Sequence, residues 1–332
     1  METARTRLLL EAHGAQPNYN YDIIRPLMQG RVDIAGADLS WSAPGEFAGF
    51  FQNPKFREGA FDLLDTNWGD LIRAIDHGWD IRMLPVFIKR KPAYNYLWVR
   101  ADRGINTPKD LEGRLFTSVG YGSAISIYTR GLLQHAHGVD VSTFRWLVSA
   151  PEPFEIHDRR IALSVASGPA KSAAQRLLDG EVDASTGDIT DPRLWEALEK
   201  SGSVKRMFPD YRELNRKLIR DHGLLTPAHV ICISGALERK HPDLPLRIYR
   251  AFETALSTAY DDALADQTSY SMLLDFRELV RDQAREYGDI WRHGITANRV
   301  AIDRFLQYSH EQGITRTRLA PEQVFARGTL DT

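Results

Sequence analysis

Apolar residues recur along the chain in two alternating patterns, short continuous runs and longer stretches with helical spacing. The short runs predict strands at 7–11, 61–65, 82–87, 95–100, 115–119, 161–165 and 228–234. The helical spacing predicts helices between them, at 23–29, 71–76, 124–135 and 172–179. Strands that alternate with helices are typical of an α/β protein. After residue 240 helices predominate, at 246–262, 269–287 and 296–312, and Pro321 opens a last short helix.

The length of 332 residues is sufficient for two lobes, each with its own core. Because no linker rich in glycine and serine separates them, we expect the lobes to be tightly joined. The basic run 89–92 is the best first crossover, and 224–229 is the best return. We expect lobe 1 to comprise 1–94 plus 241–332 and lobe 2 to comprise 95–240. The basic run either steers an anion or is an ordinary solvated surface.

The turn at 119–124 carries the strongest chemical signal in the chain. Gly120 and Gly122 let the backbone approach a ligand, and Ser123 is the predicted N-cap of the following helix. The N–H groups of a first helical turn favour a carboxylate or phosphate. The alternative is a tight turn without a ligand. A dinucleotide motif would need a third glycine where Ile125 stands, so the predicted ligand is small and acidic.

Composition narrows the class of partner. The formal charge of −2 and the lack of a basic arm argue against nucleic acid. No apolar run approaches the roughly 20 residues of a membrane span, and the amino-terminal run is too short for a signal peptide, so we expect a cytoplasmic protein. Cys232, the single cysteine, lies in an apolar strand and is predicted to be a packing thiol. The oligomeric state, including a homo-oligomer, stays open.

Metal and covalent chemistry have no support in the sequence. The ten histidines form no H-E-x-x-H motif, and His135 and His137, two apart on a helix, point to nearly opposite sides. No G-x-S-x-G motif of a serine hydrolase occurs. We therefore expect no metal, no cofactor and no covalent intermediate.

Short motifs spread over nearly the whole chain carry a family resemblance. They are Tyr21-Asp22, Arg25-Pro26-Leu27, Gly30-Arg31-Val32, Phe61-Asp62, Leu84-Pro85-Val86-Phe87, Tyr121, Arg130-Gly131, Trp146, Gly180-Glu181-Val182-Asp183-Ala184, Phe208-Pro209-Asp210-Tyr211-Arg212, His229-Val230, His241-Pro242, Gly294-Ile295, Ala297-Asn298-Arg299, Glu311-Gln312-Gly313, Pro321-Glu322 and Phe325. With these motifs the chain resembles the 4,5-dihydroxyphthalate decarboxylase-like branch of the type II periplasmic-binding-protein fold. The resemblance implies a two-lobed α/β fold with a ligand cleft between the lobes.

The chain departs from that family's pattern where ionic groups are expected. Ala93-Tyr94-Asn95 stands in place of arginine, histidine and serine, and Ile23 in place of an arginine. Gly120 and Gly122 replace a glutamate and a glutamine that flank the tyrosine. These losses indicate a ligand with fewer carboxylates or a bulkier apolar body.

The resemblance implies decarboxylation of a small hydroxylated aromatic acid of the phthalate type. A carboxyl group para to a phenol can leave once its ring carbon is protonated, so the site needs an acid there and no cofactor. His229 is the first candidate for the proton donor, and the alternative is a histidine hydrogen-bonded between lobes. His13, at the end of the first predicted strand, is the second candidate.

Further candidates follow the ends of predicted strands. Trp68 or Tyr94 could stack on an aromatic ligand, Asn67 and Asn95 could orient polar groups, and Arg25 could pair with a carboxylate. Gly187-Asp188 could form the far wall of the cleft. Each could instead be ordinary core. Two functional classes remain, a carboxy-lyase and a non-catalytic binding protein for a small aromatic or cyclic acid.

Overall fold

A computed structural model describes residues 5–12, 21–42, 49–186, 192–223, 225–265 and 271–332. Within these ranges, no helix combines the length and the apolar character needed to cross a bilayer. The candidates His13 and Asp188 lie outside the described residues.

Strands and helices alternate through most of the described chain. The strands are β1 (Thr6–Ala12), β2 (Ala37–Trp41), β3 (Leu63–Asn67), β4 (Ile81–Met83), β5 (Lys89–Lys91), β6 (Leu97–Arg100), β7 (Leu115–Thr117), β8 (Arg145–Val148), β9 (Ala162–Val165), β10 (Ala184–Thr186), β11 (Val204–Arg206) and β12 (Thr226–Ser234). The helices are α1 (Tyr21–Met28), α2 (Pro54–Arg57), α3 (Trp68–Asp76), α4 (Ala124–His137), α5 (Ala173–Leu178), α6 (Pro192–Lys200), α7 (Tyr211–His222), α8 (Gly235–Lys240), α9 (Leu244–Leu264), α10 (Phe276–Tyr287), α11 (Arg299–Glu311) and α12 (Pro321–Val324).

The first compact unit comprises residues 1–90, 218–303 and 320–332. Its sheet has the order β2-β1-β3-β12-β4, and β5 also pairs with β12. β1 runs parallel to β2 and β3, whereas β12 runs antiparallel to β3 and β4. The apolar faces of α1 and α9 pack together over this sheet and bury residues such as Ile24, Ile248 and Phe252.

The second compact unit comprises residues 91–217 and 304–319. Its sheet has the order β11-β6-β10-β7-β8-β9. β10, β7, β8 and β9 run parallel, and β6 is antiparallel to its neighbours β10 and β11. Trp98, Leu177 and Val182 lie at the centre of one of its apolar clusters.

The two compact units differ in extent from the predicted lobes. The chain passes from the first unit to the second after Arg90 and returns at Leu218, whereas the sequence predicts lobe boundaries after residues 94 and 240 and a return at 224–229. The reason is β12, which is buried at every residue because β3 and β4 flank it on both sides. The segment 304–319, which we had placed in lobe 1, belongs to the second unit.

Proline accounts for two of the strand predictions that extend too far. The run predicted at 82–87 is a strand only as far as Met83, since Pro85 has no N–H to donate to a ladder. The run predicted at 95–100 begins as a 3₁₀ helix, Ala93–Tyr96, in which the Asn95 N–H donates to the Pro92 carbonyl. A 3₁₀ turn, Pro108–Leu111, precedes β7, and the Thr107 N–H and hydroxyl both donate to Asp110 Oδ2.

Candidate functional site

In the first unit, β3 and β12 bring an aspartate and a histidine together. His229 lies opposite Asn67 and Ile231 lies opposite Asp65, so Asp65, Asn67 and His229 share one face of the sheet. The His229 Nδ1 atom lies 2.9 Å from Asp65 Oδ1. Asp65 has no exposed surface and His229 is only 6% exposed. The structure thus forms a buried Asp–His pair at the carboxyl end of β3.

The pair has the arrangement of a proton-transfer group. A carboxylate can only accept, so Nδ1 of His229 donates to Asp65, and this fixes the tautomer of the neutral ring. The other carboxylate oxygen, Asp65 Oδ2, is buried and makes no hydrogen bond within the described residues.

Two neighbours of the pair have structural roles that the sequence did not show. Asn67 Oδ1 accepts the Gly69 N–H at 2.9 Å and caps α3, so this atom is not offered to a ligand. Trp68 has no exposed surface, and its ring centroid lies 5.4 Å from that of Phe87. In this structure the Trp68 ring therefore packs in the core of the first unit.

Other cationic and thiol groups of this unit are also structural. Arg25 lies on α1 and pairs with Asp22 of the same helix at 3.0 Å. Arg90, in the basic run 89–92, is not a solvated surface residue, since it is 7% exposed and donates to the Leu225 and Arg292 carbonyls. Burial, followed by the charge of Asp65, raises the pKa of the Cys232 thiol well above its usual value, as expected for a packing thiol.

In the second unit, the glycine turn leads from β7 into α4 as predicted. Ser123 is the N-cap by backbone position, but its side chain makes no capping hydrogen bond. Its hydroxyl is buried and without a partner in the described part of the chain, and so are the hydroxyls of Ser126 and of Thr186, on the neighbouring β10. Unpaired buried hydroxyls at a helix start are suited to binding ligand oxygens. One feature of the sequence points to Ser126, namely its spacing of three residues from Ser123, which puts both residues on the same side of the helix.

Two N–H groups of the predicted anion-binding turn at 119–124 already donate to side chains of the protein. The Tyr121 N–H donates to Glu152 Oε1 at 2.7 Å, and the Gly120 N–H donates to Ser118 Oγ at 3.2 Å. The remaining seat comprises the first turn of α4 and the hydroxyls described above.

Tyr121 has a packing role. Its side chain has no exposed surface, and its hydroxyl donates to the Gln312 carbonyl at 3.1 Å. The guanidinium carbon of Arg130 lies 3.9 Å from the centre of the Tyr121 ring, and Trp146 packs on that ring edge-on. Tyr121, which lies in the predicted anion-binding turn, thus has its ring in the packed interior of the second unit.

Tyr94 and Asn95 belong to an internal network as well. The Tyr94 hydroxyl lies 3.2 Å from His137 Nε2, and its ring packs edge-on against Phe208. Burial raises the pKa of Tyr94 and lowers the pKa of His137, so a neutral imidazole accepts from the phenol. Asn95 Oδ1 accepts from Asn215 at 2.8 Å. The Tyr94 hydroxyl and Asn95 Oδ1 are therefore both bonded within the protein.

Comparison with known proteins finds relatives with the name of the family that the sequence resembles. No family model matches the chain. The 4,5-dihydroxyphthalate decarboxylase of Comamonas testosteroni is 28% identical over 323 residues, which are 94% of this chain and 96% of that protein. A protein of the same name from Pseudomonas putida is 28% identical over 129 residues, 39% of this chain and 49% of that protein.

Solved structures identify the fold. The periplasmic sulfonate-binding protein of Methylobacillus flagellatus KT matches with a TM-score of 0.56 at 12% identity, covering 97% of this chain and 92% of that protein. The predicted α/β class and type II periplasmic-binding-protein fold are confirmed. The predicted resemblance to 4,5-dihydroxyphthalate decarboxylases is likewise confirmed by the two relatives.

Proposed function

We propose that this protein is a carboxy-lyase that removes a carboxyl group from a small hydroxylated aromatic acid without a cofactor. The observation that carries the proposal is the buried Asp65–His229 pair, with Nδ1 2.9 Å from Oδ1. The similarity to two proteins named 4,5-dihydroxyphthalate decarboxylase supports the same reaction class.

The proposed step is protonation of the ring carbon that bears the carboxylate. The His229 imidazolium gives its Nε2 proton to that carbon, and a phenol para to it loses its own proton. The carbon–carbon bond to the carboxylate then breaks, CO₂ leaves, and the bonding pair restores the aromatic ring. The phenol-derived oxygen regains a proton, so the products are CO₂ and the decarboxylated phenol. Asp65 stabilises the imidazolium that starts the step.

In the second unit taken by itself, we assign binding of a carboxylate or hydroxyl of a small acid to the turn at Ser123. The assignment is supported by the buried hydroxyls of Ser123 and Ser126, which lack partners among the described residues, and by the positive end of the α4 dipole. It also agrees with the loss of ionic side chains at positions 120 and 122, because backbone and hydroxyl donors then bind the acid.

The proposal is tested by incubating the purified protein with hydroxylated benzoates and phthalates while CO₂ release is followed. We expect turnover for at least one acid with a hydroxyl para to a carboxyl group. His229→Asn should lower that turnover by at least ~100-fold without unfolding the protein, as for loss of a general acid. His241→Asn is the matched control, since His241 is a half-buried histidine at the end of α8 in the same unit.

The outcomes separate the two functional classes. Tight binding of these acids, measured by a rise in melting temperature, without CO₂ release would contradict the enzyme and favour a binding protein. Equal loss of turnover in His229→Asn and His241→Asn would remove His229 from the proton-donor role.

A further inference from the structure

Gly120 has no structural need to be glycine. Its φ lies outside the left-handed region, and a Cβ built on it meets no atom within 4 Å. Its N–H is held by Ser118 Oγ, and the next N–H by Glu152, so side chains and not glycine's conformational freedom fix the turn. A glycine that neither the backbone nor the packing requires leaves open space beside the Ser123 turn.

An exposed apolar residue precedes Gly120 in the chain. Val119, the residue before Gly120, is 59% exposed, whereas Ser118 on its other side is 3% exposed. Val119 follows β7 at the carboxyl edge of the second unit's parallel strands, the edge at which α/β sheets bind ligands. An exposed valine beside an empty glycine position is suited to contact with an apolar ligand group.

We propose that Val119 and Gly120 form an apolar subsite for a substituent, such as a second aromatic ring, of an acid whose carboxylate binds at the Ser123 turn. This inference rests on the proposed function in that it takes the Ser123 turn as the site of the ligand's acid group. It names the substrate class more closely: aromatic acids that carry a bulky apolar substituent.

The test compares ligands that differ only in that substituent. Benzoate and 2-, 3- and 4-phenylbenzoate are titrated into the full chain, and dissociation constants are measured by calorimetry. We expect at least one phenylbenzoate to bind about tenfold or more tightly than benzoate, which corresponds to ~1.4 kcal/mol. Gly120→Val should weaken that phenylbenzoate by at least about tenfold and change benzoate by less than about twofold, because the added side chain fills the space.

Matched variants exclude a general effect on folding or on the surface. Val119→Asn should also weaken the phenylbenzoate, whereas Val165→Asn should not. Val165 is 50% exposed at the end of β9, two strands away from β7, and so about 10 Å distant. Gly120→Ala should leave the melting temperature unchanged, while Gly138→Ala should lower it, since Gly138 also has open space around its Cβ position but has φ +65°.

The outcomes distinguish this inference from the proposed function. Equal weakening of benzoate and phenylbenzoate, or no weakening of either, would overturn the subsite. A selective loss of phenylbenzoate without CO₂ release in any assay would support the subsite and contradict the lyase. If the parent protein bound none of the four acids, the subsite would be wrong, and the lyase would still be judged by CO₂ release from the hydroxylated acids.

Discussion

Asp65 and His229 are separated by 164 residues in the sequence, yet their Oδ1 and Nδ1 atoms lie 2.9 Å apart. The register between β3 and β12 produces this contact, because it sets His229 opposite Asn67 and so on the same face as Asp65. A shift of one residue would turn the imidazole to the other face of the sheet.

Asp65→Asn should lower turnover by at least ~100-fold, because a neutral amide does not stabilise the imidazolium and its NH₂ group can donate to Nδ1, which favours the other tautomer. The measurement is kcat as a function of pH on the acid identified above. Asp62→Asn is the control, since Asp62 accepts the Leu9 N–H near the same strand and should keep normal turnover. An Asp65→Asn variant with normal kcat would contradict the proposed role of the pair.

Arg130 should contribute strongly to stability. It is 1% exposed and donates to Gln312 Oε1 at 2.7 Å and to the Tyr121 carbonyl at 2.8 Å. Arg130→Met leaves both acceptors buried with fewer donors, so we expect a loss of about 2–4 kcal/mol in the free energy of unfolding. Urea denaturation measures it. Arg130→Lys should restore less than half of this loss, because an ammonium lacks the planar guanidinium that reaches both acceptors. Full restoration would show that the guanidinium shape is not needed.

Gly131→Ala tests close packing between α4 and α11. A Cβ at Gly131 would lie 2.1 Å from Cδ2 of Tyr308, a ring that is only 4% exposed. Alanine gains up to about 1 kcal/mol of helix propensity, but overpacking costs about 1–3 kcal/mol and the large ring cannot move aside. We expect a net loss of stability in urea denaturation. In a Tyr308→Ala background the same substitution should stabilise the protein, and a loss there would show that the ring is not the cause.

His293 should make stability depend on pH. Burial and then the charge of Arg90 lower the pKa of His293 to about 3, whereas an unfolded histidine titrates near 6.5. Between these values the unfolded state binds the extra proton, so stability is complete above about pH 6.5 and falls as the pH decreases, at up to ~1.4 kcal/mol per pH unit.

Urea unfolding at pH 6.5 and pH 5.0 checks this dependence. The parent protein should lose about 2 kcal/mol more between the two values than His293→Gln, whose amide can still accept the Phe87 N–H that the imidazole now accepts. The same acid sensitivity in His293→Gln would assign the effect to other groups.

Local signals predicted the elements that depend on local structure. The N-cap position of Ser123 and the helix after it lie where the sequence indicated, since helix-start signals act over three or four residues. The short strands β2, β5, β8, β10 and β11 were not predicted, because their apolar runs are brief or absent and their pairing depends on the rest of the fold.

The roles of individual site residues were harder to predict than the elements. His229 lies on a predicted strand and Ser123 precedes a predicted helix, whereas the rings of Trp68, Tyr121 and Tyr94 pack against other rings of the protein. A sequence shows that an aromatic residue follows a strand, but not whether its ring meets a ligand or another ring such as Phe87. That choice depends on contacts across the fold, for which no local pattern exists.

The second unit is built from two segments of the chain, and this has a consequence for synthesis on the ribosome. Gln312, one of the acceptors of Arg130, is translated 182 residues after it. At typical elongation rates the delay is about 10–40 s, during which the Arg130 guanidinium lacks its Gln312 acceptor. Nascent chains of this protein should therefore stay sensitive to proteases, or bound to chaperones, until residues 304–319 have emerged.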